Sequence, residues 1–248
     1  MLIKKLATAL AAVALIALPF AALASEEEGG GPRAGNDIHS RASLQRGARN
    51  FMNYCSGCHS AKFVRYNRVA ADLGIDVATL KSNLMFTSAV PADTIISALS
   101  PADGTKWFGN APPDLSLMSR ARGTDHIYAY LKSFYADPSR PTGVNNTVLP
   151  GTAMPHVLAD LQGVQKAVFR PAGAEGGPTF EKFELVSPGT LSPEKYDDFV
   201  RDTVNFLQYM GEPIQAKRED LGVWVMLFLL VFTGLAYLLY KEYWKDVH

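Results

Sequence analysis

The chain carries little charge, almost no cysteine and no surplus of either sign. Of its 248 residues, 24 are Lys or Arg and 24 are Asp or Glu, so the formal net charge is zero. A nucleic-acid partner is excluded on that ground, because such proteins need a basic excess to neutralise phosphates. Charged residues make up only 19% against 48% hydrophobic, which excludes a disordered chain and points to membrane contact. Cysteine occurs twice, at Cys55 and Cys58, so a disulfide framework is excluded. Neither internal repeats nor nucleotide-binding glycine loops occur. The length allows one large domain or two small ones.

Two apolar runs frame the chain. After Lys4 and Lys5, residues 6–23 are apolar and end on Ala22-Leu-Ala24, the small-residue pattern read by a signal peptidase. Residues 1–24 read as a bacterial signal peptide with cleavage after Ala24; the run has no Arg, unlike a mitochondrial transit peptide. Residues 221–240 contain no charge, and at a helical rise of ~1.5 Å per residue they span ~30 Å, a bilayer core. Trp224 lies near one end, and Tyr237, Tyr240, Tyr243 and Trp244 lie near the other, as an aromatic belt would. Lys and Arg flank both ends, so orientation rests on the signal peptide. It places 25–220 in the periplasm, 221–240 in the inner membrane of a bacterium and 241–248 in the cytoplasm.

The zero net charge hides asymmetry. Residues 171–220 hold ten acidic and five basic residues, whereas 41–68 hold six basic residues and no acid. Solvated faces account for most such runs; the sharper reading is a docking surface for a partner of opposite charge.

Cys55-Ser-Gly-Cys58-His59 is a C-x-x-C-H pattern. It reads as covalent attachment of one c-type haem: both thiols become thioethers and the adjacent imidazole of His59 is given to the iron. A zinc site needs about four ligands and a second Cys pair. A thioredoxin-like pair needs no His and sits near a βαβ pattern, which is missing. Leu44, Ala48, Phe51 and Cys55 share one apolar helical face, with Ser40 or Ser43 as its cap. The second axial ligand comes from Met52, Met85, Met118, Met154, Met210, His39, His126 or His156. Met52 lies on the attachment side of the ring, and Met85 and Met210 sit in apolar patterns that read as packing. Met154 stands in Pro150-Gly-Thr-Ala-Met-Pro155, a stiff irregular loop suited to presenting a thioether, and a Met–His pair raises a reduction potential. His156 is its close rival.

The motif, together with Ala111-Pro-Pro-Asp-Leu-Ser116, Arg120-Ala-Arg122, Met154-Pro155 and the single C-terminal anchor, resembles the cytochrome c1 family, the haem-bearing subunits of cytochrome bc1 complexes. The P-P-D-L-S and R-A-R blocks are far more specific than C-x-x-C-H. The resemblance implies a mainly α c-type cytochrome domain with one C-terminal transmembrane helix. It implies Cys55 and Cys58 as haem attachments, His59 and Met154 as iron ligands, Pro112 and Pro113 as pocket walls, and Arg122 against a haem propionate. It further implies electron transfer from a Rieske iron–sulfur protein to a soluble or tethered cytochrome c, beside cytochrome b in the bilayer. The polypeptide itself would make no bonds. The chain departs from the family at Trp107-Phe-Gly-Asn110, where many relatives are Asn-rich, so no haem contact is assigned there. His126 replaces an expected aromatic and receives no role. Another membrane-anchored cytochrome c, or a haem peroxidase or sensor with an open iron site, are the competing readings.

Other expectations are local. Residues 91–99 read as a short helix and 125–136 as a helix capped by Thr124. Residues 137–153 read as a loop whose Asn145-Asn-Thr147 sequon has no use in a bacterial export. Residues 178–187 alternate as a hairpin strand. Ser192-Pro-Glu194 starts a helix ended by Gly211 and Pro213, with Tyr196, Phe199, Thr203, Leu207 and Met210 on one face.

Overall fold

The structure, a computed structural model, describes residues 31–170 and 178–246. The proposed signal peptide therefore lies outside the described residues. Two crossing helices organise the fold. Helix α1, Arg41–Tyr54, starts where the Ser40 hydroxyl accepts the Ser43 N–H at 3.4 Å, and it buries Leu44, Ala48 and Phe51. The chain then forms strand β1 (Ala61–Arg65), helices α2 (Tyr66–Leu73) and α3 (Val77–Asn83), strand β2 (Thr94–Ile95) and helix α4 (Pro101–Phe108). Helices α5 (Met118–Arg122) and α6 (Thr124–Lys132) come next, then strands β3 (Phe134–Ala136) and β4 (Val144–Asn146). Helix α7 (Ala159–Gln162) leads into the hairpin β5 (Gly163–Arg170) and β6 (Thr179–Pro188). Helix α8, Pro193–Gly211, is capped by Ser192 with Pro193 in its first turn, and α9 runs Gln215–Tyr243. Helices dominate; the strands form three separate antiparallel pairs, β1–β2, β3–β4 and β5–β6.

The core sits between α1 and α8. Gly47 permits the crossing: a Cβ there would lie 2.0 Å from the Asp202 carbonyl oxygen and 2.7 Å from Phe206 Cβ. Around that contact Phe51 meets Phe206 at 5.7 Å between ring centres. Polar groups fix the register. Arg46 grips Asp202 through two bonds of 2.5 and 2.9 Å, Asn50 donates to Phe199 O and Thr203 Oγ1, and Asn205 donates to Asp37 O and Ser43 Oγ. One basic residue of 41–68 is thus spent on an acid of 171–220 inside the fold, which reduces the case for a docking surface there.

Three local expectations change. Residues 91–99 form turns and β2, because β-branched Thr94 and Ile95 pair with Arg65 and Ala61 rather than coil. The helix expected to reach 136 stops at Lys132 with Gly123 as its cap, and Phe134 onward joins β4. The loop 137–153 contains β4. The helix face of α8 holds: Tyr196, Thr203, Leu207 and Met210 are buried and Phe199 packs on the core. Helix α9 has 29 residues and none of its described side chains is buried in the protein, which suits a helix surrounded by lipid.

Candidate functional site

The C-x-x-C-H segment continues from the end of α1 as a tight turn. Cys55 N–H and Ser56 N–H both donate to Phe51 O at 2.9 Å, and Cys58 and His59 N–H return to Cys55 O at 3.1 and 2.9 Å. The Ser56 hydroxyl closes on Met52 O at 2.8 Å. One helix end thereby delivers both thiols and the imidazole to the same place. Neither thiol is in a disulfide. Burial pushes the Cys55 thiol up to about 12, the opposite of the lowered value a redox dithiol needs. Among the described residues no group of three or more His, Cys, Asp or Glu side chains is gathered so as to hold a metal ion.

His59 is held in one tautomer. Its Nδ1 lies 2.7 Å from the Pro113 carbonyl, so Nδ1–H donates and Nε2 keeps a free lone pair, available to a metal. Burial lowers its proton affinity, and the Pro113 bond and the nearby Asp114 charge only partly offset this, so the ring is neutral. The Pro-Pro-Asp-Leu-Ser block is laced to the strand after His59. Leu115 N–H donates to Ser60 O at 2.8 Å, Lys62 N–H to Asp114 Oδ2 at 2.9 Å, and Phe63 N–H to Ser116 Oγ at 3.1 Å. Asp114 and Ser116, to which the sequence pattern gave no role, hold this block against Lys62 and Phe63.

A cavity of about 460 Å³ opens over this turn. Cys55, Cys58, His59, Pro112, Pro113, Arg122 and Met154 all line it. So do Phe108 and Asn110, in the stretch to which no contact was assigned, and His126, which is exposed. Most of the remaining lining is apolar, with Ile127, Leu131, Leu149 and Leu207 among it. The alternative ligands separate. Met52, Met85 and Met210 are buried in the core and do not line the cavity. His39 pairs with Glu219 at 3.1 Å. His156 turns away: its ring stacks on Phe134 at 4.9 Å and 2°, and burial pushes it down to about 4. Met118 and Met154 both reach the cavity. Arg122 is exposed at its rim with no ion pair among the described residues, whereas the Arg120 side chain lies over Gly211.

Two thiols, one neutral imidazole with a free Nε2, and a thioether from a separate loop around one apolar cavity make a donor set that fits a c-type haem.

The comparisons agree with that chemistry. Residues 36–166 and 186–247 match the Cytochrome C1 family. A cytochrome c1 of Allochromatium vinosum is 55% identical over 238 residues, covering 94% of this chain and 96% of that one. A protein of Nitrosomonas europaea named ammonia monooxygenase gamma subunit is 42% identical over 236 residues, covering 95% and 97%. A cytochrome c1 of Rhodospirillum rubrum is 30% identical over 235 residues, covering 84% and 83%. With three quarters of its residues inside the family match and its donor residues gathered in one apolar cavity, this chain belongs to the cytochrome c1 family.

Proposed function

We propose that this chain relays single electrons from a Rieske iron–sulfur subunit to a soluble or membrane-tethered cytochrome c, on the periplasmic face of a bacterial inner membrane. Family membership makes it the membrane-anchored, electron-transfer haem subunit of a cytochrome bc1 complex, a quinol–cytochrome c oxidoreductase. The covalently bound haem c supplies a reversible one-electron couple.

The residues of this chain have distinct tasks in that reading. Cys55 and Cys58 attach the haem. His59, fixed through Pro113, presents Nε2 to the iron. Pro112 and Pro113 exclude water beside it. Met154 is the distal ligand: residues 114–116 are bonded to residues 60–63 just after His59, so the neighbouring Met118 shares the proximal wall, while Met154 arrives on a separate loop. The exposed Arg122 guanidinium is placed to neutralise a propionate. Residues 1–24 act as the signal peptide, 25–220 as the periplasmic haem domain, 221–240 as the anchor within α9 and 241–248 as the cytoplasmic tail.

The observation that carries the proposal is that His59 and Met154 line one apolar cavity from separate segments. A peroxidase or sensor would leave the distal position open. Met154→Ala tests this: the low-spin spectrum disappears and the midpoint potential falls. An unchanged spectrum and potential refute the ligand assignment. Affinity purification of the intact chain from membranes tests the partners, and its recovery without cytochrome b and Rieske subunits refutes them.

A further inference from the structure

The Asn145-Asn-Thr147 triplet looks like a glycosylation acceptor, yet both Asn side chains point their bonds into the protein. Asn146 is fully buried at 0% exposure. Its Nδ2 donates to Tyr130 O at 2.8 Å, and its Oδ1 accepts the N–H groups of Val148 and Leu149 at 2.9 and 3.1 Å. Asn145 Oδ1 accepts the Gly151 N–H at 2.8 Å, while its Nδ2 donates to Asp137 Oδ2 at 3.0 Å. Arg140 Nη2 adds a bond to Gly151 O at 2.8 Å, and the Tyr130 hydroxyl meets Thr152 Oγ1 at 2.8 Å.

Five of these ties fall on residues 148–152, shortly before Met154, and the other two anchor the carboxamides to Tyr130 and Asp137. That stretch belongs to no helix or strand. A loop without a backbone ladder takes its shape from whatever else satisfies its N–H and C=O groups. Here the satisfying groups are two adjacent carboxamides whose own backbone is held by β4: Asn145 pairs with Tyr135 and Asn146 with Phe134. The chain of contact is therefore short. Strand β4 fixes the two carboxamides, the carboxamides fold residues 148–151, and three residues later the thioether enters the cavity.

We propose that Asn145 and Asn146 are positioning residues for the distal ligand, holding the loop in the shape that carries the Met154 thioether to the cavity. The proposal rests on the reading of Met154 as that ligand. Truncating Asn146 orphans the Val148 and Leu149 N–H groups, each of which then favours a different loop conformation in which it can reach water, while the Tyr130 carbonyl keeps the Ser133 N–H.

The test uses the full chain in the haem-loaded membrane complex, comparing the unaltered protein with Asn146→Ala, Asn145→Ala, Asn146→Asp and Met154→Ala. Three quantities are read at equal haem content: the red charge-transfer band of a thioether–ferric bond, the fraction of ferrous haem that binds carbon monoxide, and the midpoint potential. Asn146→Ala is expected to weaken the band, lower the potential towards that of Met154→Ala, and raise the carbon monoxide-binding fraction about tenfold. Asn146→Asp keeps acceptors for Val148 and Leu149 and falls between. If Asn146→Ala melts earlier but keeps band, potential and carbon monoxide resistance, its role is structural only and the proposal fails. Should that variant not accumulate, Asn145→Ala at its half-buried position decides, loss of the band supporting the proposal and retention overturning it. Met154→Ala separates the two levels. If it changes nothing, the ligand assignment and the proposal fall together; if it acts as expected while the Asn variants do not, only the proposal falls.

Discussion

Replacing Gly47 with Ala sets two physical effects against each other at the crossing of α1 and α8. In an isolated helix the change stabilises by about 1 kcal/mol, because Ala loses less backbone entropy than Gly. In this protein the new methyl would sit 2.0 Å from the Asp202 carbonyl oxygen, 2.8 Å from the Asp202 carbonyl carbon and 2.7 Å from Phe206 Cβ. Ordinary contacts lie at about 3.5–4 Å, so the helices must separate by on the order of 1 Å or more. Overpacking costs roughly 1–3 kcal/mol, and the upper end applies because the obstacle is backbone rather than a flexible side-chain tip. Separation also stretches the Arg46–Asp202 fork and loosens Phe51 from Phe206. The net expectation is a loss of about 2 kcal/mol, which for a chain of this size lowers Tm by roughly 4–8 °C. The assay is thermal unfolding of the purified holo-complex at a fixed scan rate, followed through the haem spectrum. A rise in Tm for Gly47→Ala would mean that helix propensity outweighs the contact, and the account of the crossing would be wrong.

Two more expected outcomes concern charges. Arg46→Met leaves the Asp202 carboxylate, whose side chain is only 9% exposed, without its cation, and should cost about 2 kcal/mol in denaturant unfolding; adding Asp202→Asn should recover most of it. Recovery of nothing would show that the loss came from packing of the Arg stem. Arg122→Gln removes the cation proposed to face a propionate, which favours the ferric state, so the midpoint potential should fall. For an exposed pair worth about 0.5–1 kcal/mol the shift is roughly 20–40 mV, read by redox titration, and an unchanged potential removes Arg122 from the site.

The legible parts of this protein are those governed by local spacing. The C-x-x-C-H turn, the apolar face of α1, the Ser192-Pro193 start of α8 and the charge-free anchor each depend on residues within a few turns of one another. The short helix expected at 91–99 was misleading for the same reason. Its proline and aspartate mimic a helix start, but the competing partner of Ile95 is Ala61, far away in sequence. Gly47 reads as a mild defect in a helix until α8 is laid across it. Asp114 and Ser116 lie inside a block that the sequence already marked, yet their task appears only when the strand after His59 runs beside them. Asn145 and Asn146 carry a pattern with a familiar alternative meaning, and only their side-chain bonds reveal what they hold.

By itself the sequence marked the residues for covalent haem attachment and one span long and apolar enough to cross a membrane. Two thiols beside an imidazole specify one cofactor through bond-forming groups, and an uncharged span specifies its solvent, neither of which needs a fold to be read. Narrowing the eight candidate Met and His side chains to the three that reach the cavity, Met118, His126 and Met154, belonged to the tertiary structure. A ligand has to reach one cavity from the correct wall, and that depends on where a distant loop returns. Packing sends the His156 ring against Phe134, bonds from β4 and α6 hold the loop before Met154, and residues 114–116 are tied to residues 60–63 just after His59. These are contacts between segments remote in sequence, and no local pattern encodes their direction.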